Sequence, residues 1–244
     1  MRHLSVFALA LTLSLSPLAA SALTFMDTEV TCPIDGKSFP TRVMGSGTSF
    51  GMYFDTQRFG PIASPAPLPV CPGNGFIVAD TSRKYSEAEL TRLRGFVESA
   101  QYRDWIANDT PYYRLAKQMA FLEESEDVIA NVLLSATWEA GQRYPRYAAE
   151  ALTVWQRRAL REAGGDRAYH SRMLVGELQR RLGRFDEAQA TFDALLADRG
   201  FPGKLGDANT AEYMRKVVRA QLQLIRSRSV AHARLDEDGE IVDF

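Results

Sequence analysis

Cysteine and histidine are scarce in this chain of 244 residues, which holds two of the first and three of the second. That supply excludes a many-cysteine scaffold and leaves little for a histidine-based metal or catalytic centre. A strong charge of either sign is also missing: 29 basic and 30 acidic residues leave a net charge of −1. The balance argues against a general nucleic-acid binder. Beyond residue 22 no apolar run is long enough to span a bilayer. With 45% apolar and 24% charged residues, the composition is that of a folded globular chain, not a disordered or collagen-like one.

What is present begins with a targeting pattern. Met1-Arg2-His3 is a positive start, residues 4–18 are largely apolar, and Ala20-Ser21-Ala22 is the small-x-small pattern of a signal-peptidase site. The expectation is an exported protein cleaved after Ala22, with no cysteine at the cut to carry a lipid and no stable membrane insertion afterwards. Its compartment would be the periplasm or the exterior, in soluble form.

Residues 23–84 are rich in Gly, Pro, Ser and Thr, with short β-prone pieces around Thr41, Met52 and Phe76. Two similar pentads stand out, Cys32-Pro33-Ile34-Asp35-Gly36 and Cys71-Pro72-Gly73-Asn74-Gly75. Each has the outline of a CPxCG zinc knuckle whose second cysteine is replaced, by Asp35 and by Asn74. On these pentads and the helical region that follows, the chain resembles a bacterial family, domain of unknown function 2225. The resemblance implies a β-rich module of two knuckles followed by tetratricopeptide-like helices. Two of the four ligands have changed, so zinc does not carry over with it.

Four thiolates about 2.3 Å from one zinc hold their sulfurs roughly 3.8 Å apart. With the metal and one cysteine of each knuckle gone, the remaining pair needs only a small adjustment to bond. An even cysteine count in an exported protein favours a Cys32–Cys71 disulfide. Such a loop is worth roughly 4 kcal/mol by chain entropy. The alternative is a reduced zinc site on Cys32, Asp35 and Cys71; otherwise no cofactor is expected.

From Ser86 the pattern turns helical. Ser86 and Glu89 form a capping box, and Leu90, Leu93, Phe96 and Val97 make an apolar stripe. Thr110-Pro111 and Ser125-Glu126-Asp127 read as further helix starts, with the Thr110 hydroxyl as cap. Helices are predicted over 144–161, 168–182, 185–198 and 209–226, punctuated by glycine. Residues 172–202 fit the tetratricopeptide pattern: Gly176 where paired helices approach, Leu182-Gly183-Arg184-Phe185 at the turn, then Ala188 and Phe192. Ala151 and Trp155 form a weaker copy upstream. The predicted fold class is therefore α+β, mostly α: a small β-rich, knuckle-derived N-terminal module before a tetratricopeptide-like array of helical hairpins over residues 85–234.

The small net charge hides a segregation. Residues 139–234 carry 18 basic and 11 acidic groups, whereas the last ten residues carry five acidic groups and no basic one. Arg172, Arg180 and Arg181 are candidates for a basic face that meets carboxylates of a partner peptide; the simpler reading is a solvated helix surface. Residues 235–244 read as an acidic tail, most simply a solvated and disordered one, with docking on that face as the alternative.

Catalytic signals are weak. Gly47-Thr48-Ser49-Phe50-Gly51 spells G-x-S-x-G, but it lacks the strand–serine–helix setting that such a nucleophile needs. His170 and His232 fall in helical patterns. The expected function is a non-catalytic adaptor or scaffold that binds a protein or peptide, acidic in character, along a helical groove. A metal-binding protein or metal-dependent enzyme using the N-terminal knuckles is the alternative.

Overall fold

The computed structural model describes residues 23–163, 165–203 and 208–244. The proposed signal segment, residues 1–22, lies outside them, as does Gly164. The fold is mixed α+β, with eight α-helices and three small antiparallel two-stranded sheets among the described residues.

β1 (Thr24–Thr31) and β2 (Ser38–Ser46) form a hairpin whose turn is the first pentad. There the Cys32 amide donates to the Lys37 carbonyl and the Gly36 amide to the Cys32 carbonyl, both at 2.9 Å. The Lys37 amide donates to Asp35 Oδ1 at 3.1 Å. The second pentad repeats this wiring: Cys71 amide to Phe76 carbonyl, Gly75 amide to Cys71 carbonyl, and Phe76 amide to Asn74 Oδ1 at 3.0 Å. Gly36 and Gly75 share positive φ angles of 73° and 71°. The two turns are thus locally equivalent, and Asp35 and Asn74 each bind a backbone N–H. The Cys32–Cys71 disulfide joins them, with Cα atoms 5.6 Å apart.

A core of Val30, Phe39, Phe76 and the disulfide packs directly on Leu93, Val97 and Tyr102. These last belong to α1 (Glu87–Glu98) and α2 (Ala100–Asn108), so the module has no core separate from the helices. Polar contacts reinforce the seam. The Tyr102 hydroxyl and the Arg114 guanidinium both donate to the Gly75 carbonyl at 2.9 Å. Burial pushes the Tyr102 hydroxyl up to about 12, against the pull of Arg114. The Gln118 amide pairs with both the N–H and the C=O of Ile77, standing in for a strand neighbour.

The helical region continues with α3 (Pro111–Phe121), α4 (Glu126–Trp138), α5 (Tyr144–Arg161), α6 (Asp166–Arg181), α7 (Phe185–Ala197) and α8 (Ala208–Arg226). Each of these packs on the next. The capping box of α1 is present as predicted, and Ser125 caps α4. Pro111 opens α3, but the Thr110 hydroxyl makes no cap bond. A Cβ on Gly176 would lie 2.5 Å from the Phe192 ring, so the close approach of α6 and α7 requires glycine.

Short strands β3 (Gly51–Met52) and β4 (Arg58–Phe59) and the loop through residue 70 run across one side of the helices. Phe54 inserts among Val217, Ala220 and Leu224 of α8. Further along, the Tyr112 hydroxyl donates to the Ala66 carbonyl at 2.9 Å, and Leu68 and Val70 pack against a cluster of Ile77, Leu115 and Met119. The last residues form a hairpin, β5 (Ala233–Leu235) with β6 (Ile241–Asp243), seated on α8 through Ala233, Leu235 and Ile241. The expected acidic tail is therefore part of the fold. Leu235 and Ile241 supply apolar anchors, and the Asp236 carboxylate turns inward to accept the amides of Asp238 and Glu240.

Candidate functional site

Two faces of α6 have different fates. Positions 177, 180 and 181 turn towards α8 and the crossing loop, whereas 172, 175 and 179 turn the other way, as a helical repeat of 3.6 residues requires. The three arginines singled out in the sequence are divided between these faces.

Arg180 is fully buried and ion-pairs with Glu177 at 2.8 Å. It also donates to Gln221 Oε1 at 2.7 Å and to the carbonyls of Ser229 and Ala231 at 2.8 and 3.0 Å. The Gln221 amide closes the network on Glu177 at 2.7 Å. This arginine ties α6 to α8 and to the chain leaving α8, so it cannot meet a partner. Arg181 is engaged too. It donates to Asp55 Oδ2 at 2.8 Å and lies 4.1 Å over the Tyr144 ring, whose hydroxyl is pushed up by burial. The expected basic face thus keeps Arg172 but not its two companions.

Asp55 is a buried residue that sequence reasoning passed over. Besides Arg181 it accepts from His232 Nε2 at 3.0 Å and from the Gln57 amide at 3.1 Å. His232 stacks on Tyr53 with ring centroids 3.8 Å apart. It stands at the root of the C-terminal hairpin, not in a helix as predicted. Asp55, Arg181 and His232 join the crossing loop, α6 and the hairpin in one knot. Ser49 of the G-x-S-x-G string is exposed, its hydroxyl donates to the Gly51 carbonyl at 3.0 Å, and the string runs as extended chain into β3, with the Thr48 and Phe50 amides donating to the carbonyls of Pro61 and Phe59 at 3.0 and 2.9 Å.

On the opposite face an open groove of about 650 Å³ runs between α5 and α7 with α6 at its floor. Ala159, Val175 and Ala194 give it apolar walls, and Leu160 stands 77% exposed at its edge. Arg157 and Arg172 flank it, with Gln156, Gln179 and two threonines between. Arg172 pairs with Asp198 at 3.2 Å, lies 5.9 Å from the Tyr169 ring centroid and keeps 27% of its side chain in solvent. Arg157 is held through its Nε by Glu126 at 2.7 Å and keeps about half of its side chain in solvent. A smaller groove of about 280 Å³ lies on the other flank of α5, between α3 and α5, and shares Thr153 with the first.

At the N-terminal module, the sulfurs of Cys32 and Cys71 are bonded to each other and buried, which removes two thiolates from the zinc set of Cys32, Asp35 and Cys71. No group of three or more His, Cys, Asp or Glu side chains suited to a metal occurs among the described residues. No helix among them is long and apolar enough to cross a membrane. The disulfide fits an oxidising compartment. No protein-family model, curated protein or solved structure matches the chain.

Proposed function

We propose that the chain is an exported, non-catalytic interaction protein that holds a segment of a partner protein in the groove between α5 and α7. The observation that carries this reading is the groove itself: an open apolar channel beside an exposed leucine, with a cation on each side. Such a surface suits a peptide with an apolar anchor and flanking carboxylates. The opposite side of the helices is covered by the crossing loop, which leaves this side for a partner.

The run of successively packed helices and the glycine-dependent contact of α6 with α7 support a tetratricopeptide-like origin for the array. The shared wiring of the two pentads supports descent from paired knuckles in which a disulfide has taken the place of the metal. The N-terminal targeting pattern and the disulfide together support a periplasmic location.

Selection of a random peptide library on the purified protein tests the groove. Acidic peptides bearing a leucine or aromatic residue should be enriched, and Leu160→Asp should weaken the best of them about tenfold, the worth of one buried apolar side chain. Undiminished binding to Leu160→Asp, and to Arg172→Glu, would place the partner elsewhere and sink the proposal.

A further inference from the structure

The β1–β2 ribbon is an anomaly of packing. Its strands have eight and nine residues and, among the described residues, pair only with each other. Val30 and Phe39, at the base, are their only buried residues. Phe25 and Met26 are 38% and 55% exposed. Hydroxyl pairs clip both ends, Thr24 to Ser46 at 2.7 Å and Thr31 to Ser38 at 3.1 Å. Among the described residues, no backbone hydrogen bond links either strand to another part of the molecule. A lone two-stranded ribbon is marginally stable in water, and its unpaired edges are templates for a further strand. Here the base is pinned, because Thr31 leads straight into disulfide-bonded Cys32.

The two edges are not alike. β2 carries Pro40, which has no N–H to offer, while β1 contains neither proline nor glycine. Along β1 the side chains alternate, with Phe25, Asp27 and Glu29 on one face and Thr24, Met26 and Thr28 on the other. Among the described residues Asp27 has one exposed ion pair, to Arg42 across the ribbon at 3.5 Å, and Glu29 forms none. A strand added outside β1 would sit about 4.8 Å away, on the side remote from Arg42 and directly opposite two carboxylates.

We propose that the outer edge of β1 accepts an extended segment of another protein. That segment would place Lys or Arg at alternate positions against Asp27 and Glu29, with an apolar side chain against Met26. A second copy of this chain is a poor occupant. Antiparallel self-pairing centred on Asp27, Thr28 or Glu29 sets carboxylate against carboxylate, and like charges directly opposite are destabilising. This edge belongs to the N-terminal ribbon, so the proposal stands or falls independently of the groove on α5 and α7.

The test titrates the full oxidised protein with a labelled peptide alternating Lys and Val, followed by fluorescence anisotropy and amide hydrogen exchange. Binding is expected, with slowed exchange confined to residues 24–31. Asp27→Asn with Glu29→Gln should weaken it about five- to tenfold, and a Glu–Val peptide should not bind. Two further peptides, N-methylated at every Val or at every Lys, separate strand addition from simple charge attraction. One of the two must lose binding, because only one set of N–H groups can face β1. Binding of both methylated peptides at full strength would overturn the proposal. So would protection outside the ribbon, failure of the Lys–Val peptide to bind, or a β1-protected dimer of the free protein in sedimentation.

Discussion

Asp55 is a fully buried carboxylate with an arginine, a histidine and a backbone amide around it. Such a group is stable only while its partners remain, since an arginine stripped of its carboxylate is left as an uncompensated charge. Asp55→Asn keeps the shape and removes the charge. It should lower unfolding stability by about 3 kcal/mol, read from urea denaturation. A loss no larger than that of an exposed-residue control would show that the knot contributes little.

The paired turns permit a cleaner comparison at the same scale. Gly36 and Gly75 have the same left-handed backbone, but nothing lies within 4 Å of where a Gly36 Cβ would be. A Gly75 Cβ would meet Ile106 Cδ1 at 2.5 Å and an Arg114 nitrogen at 3.0 Å. Gly36→Ala should therefore cost about 1 kcal/mol, the left-handed penalty alone. Gly75→Ala adds overpacking and should cost roughly 1–3 kcal/mol more. Equal melting temperatures for the two variants would contradict the assigned packing.

At the scale of elements, α4 and α5 are laced at one end by Glu126 and Asp127 with Arg157 and Arg161. Hydrogen bonds from Arg157 hold the Glu126 carboxyl below its ordinary value of 4.5. A carboxyl lowered in the folded state contributes stability above its unfolded pKa and loses it as pH falls through the folded value. The link should thus weaken as pH drops below about 4.5, and Glu126→Gln should remove that part of the pH dependence. Urea midpoints of wild type and variant, measured above and below this window, should differ above it and converge below it. The pair is exposed, so the effect will be small and will shrink with added salt.

Helix boundaries were legible in the sequence because caps, glycines and a 3.6-residue apolar stripe are local. The predicted 144–161 stretch is α5 as observed, and the other late helices begin or end within two residues of expectation. Contacts made by charged side chains were not legible. Arg181 finds Asp55 across 126 residues of sequence and His232 finds it across 177, distances over which no periodicity speaks. The same holds for the terminal hairpin. Its five acids suggested a solvated tail, yet Leu235 and Ile241 find an apolar face on α8 that only folding creates.

For the molecule as a whole, the boundary between residues 84 and 85 separates two kinds of sequence but not two cores. The disulfide, Phe39 and Phe76 on one side share a single apolar cluster with Leu93, Val97 and Tyr102 on the other. A chain beginning at residue 85 would expose that face, losing the burial that makes short α1 and α2 stable. Hydrogen exchange of such a fragment should show α1 and α2 unprotected while α5 to α7 remain slow. Protection of α1 and α2 equal to that in the intact protein would establish an independent helical domain instead.

The sequence by itself determined much of the local grammar: an N-terminal pattern of the targeting kind, the late helices and their ends, the twin turns, and a cysteine pair whose chemistry favours a bond in an oxidising compartment, whereas α2 and its start at Ser99 were not read from it. Each feature that was read depends on residues close in the chain or on covalent chemistry indifferent to the fold. Only the tertiary structure decided which arginines remain open to a partner and which are locked inside. It also decided that the acidic end is a packed hairpin, and that, among the described residues, both edges of the N-terminal ribbon are left unpaired. Those outcomes depend on which surfaces meet when distant segments bury their apolar area together, and a charge is free or captive only after that meeting.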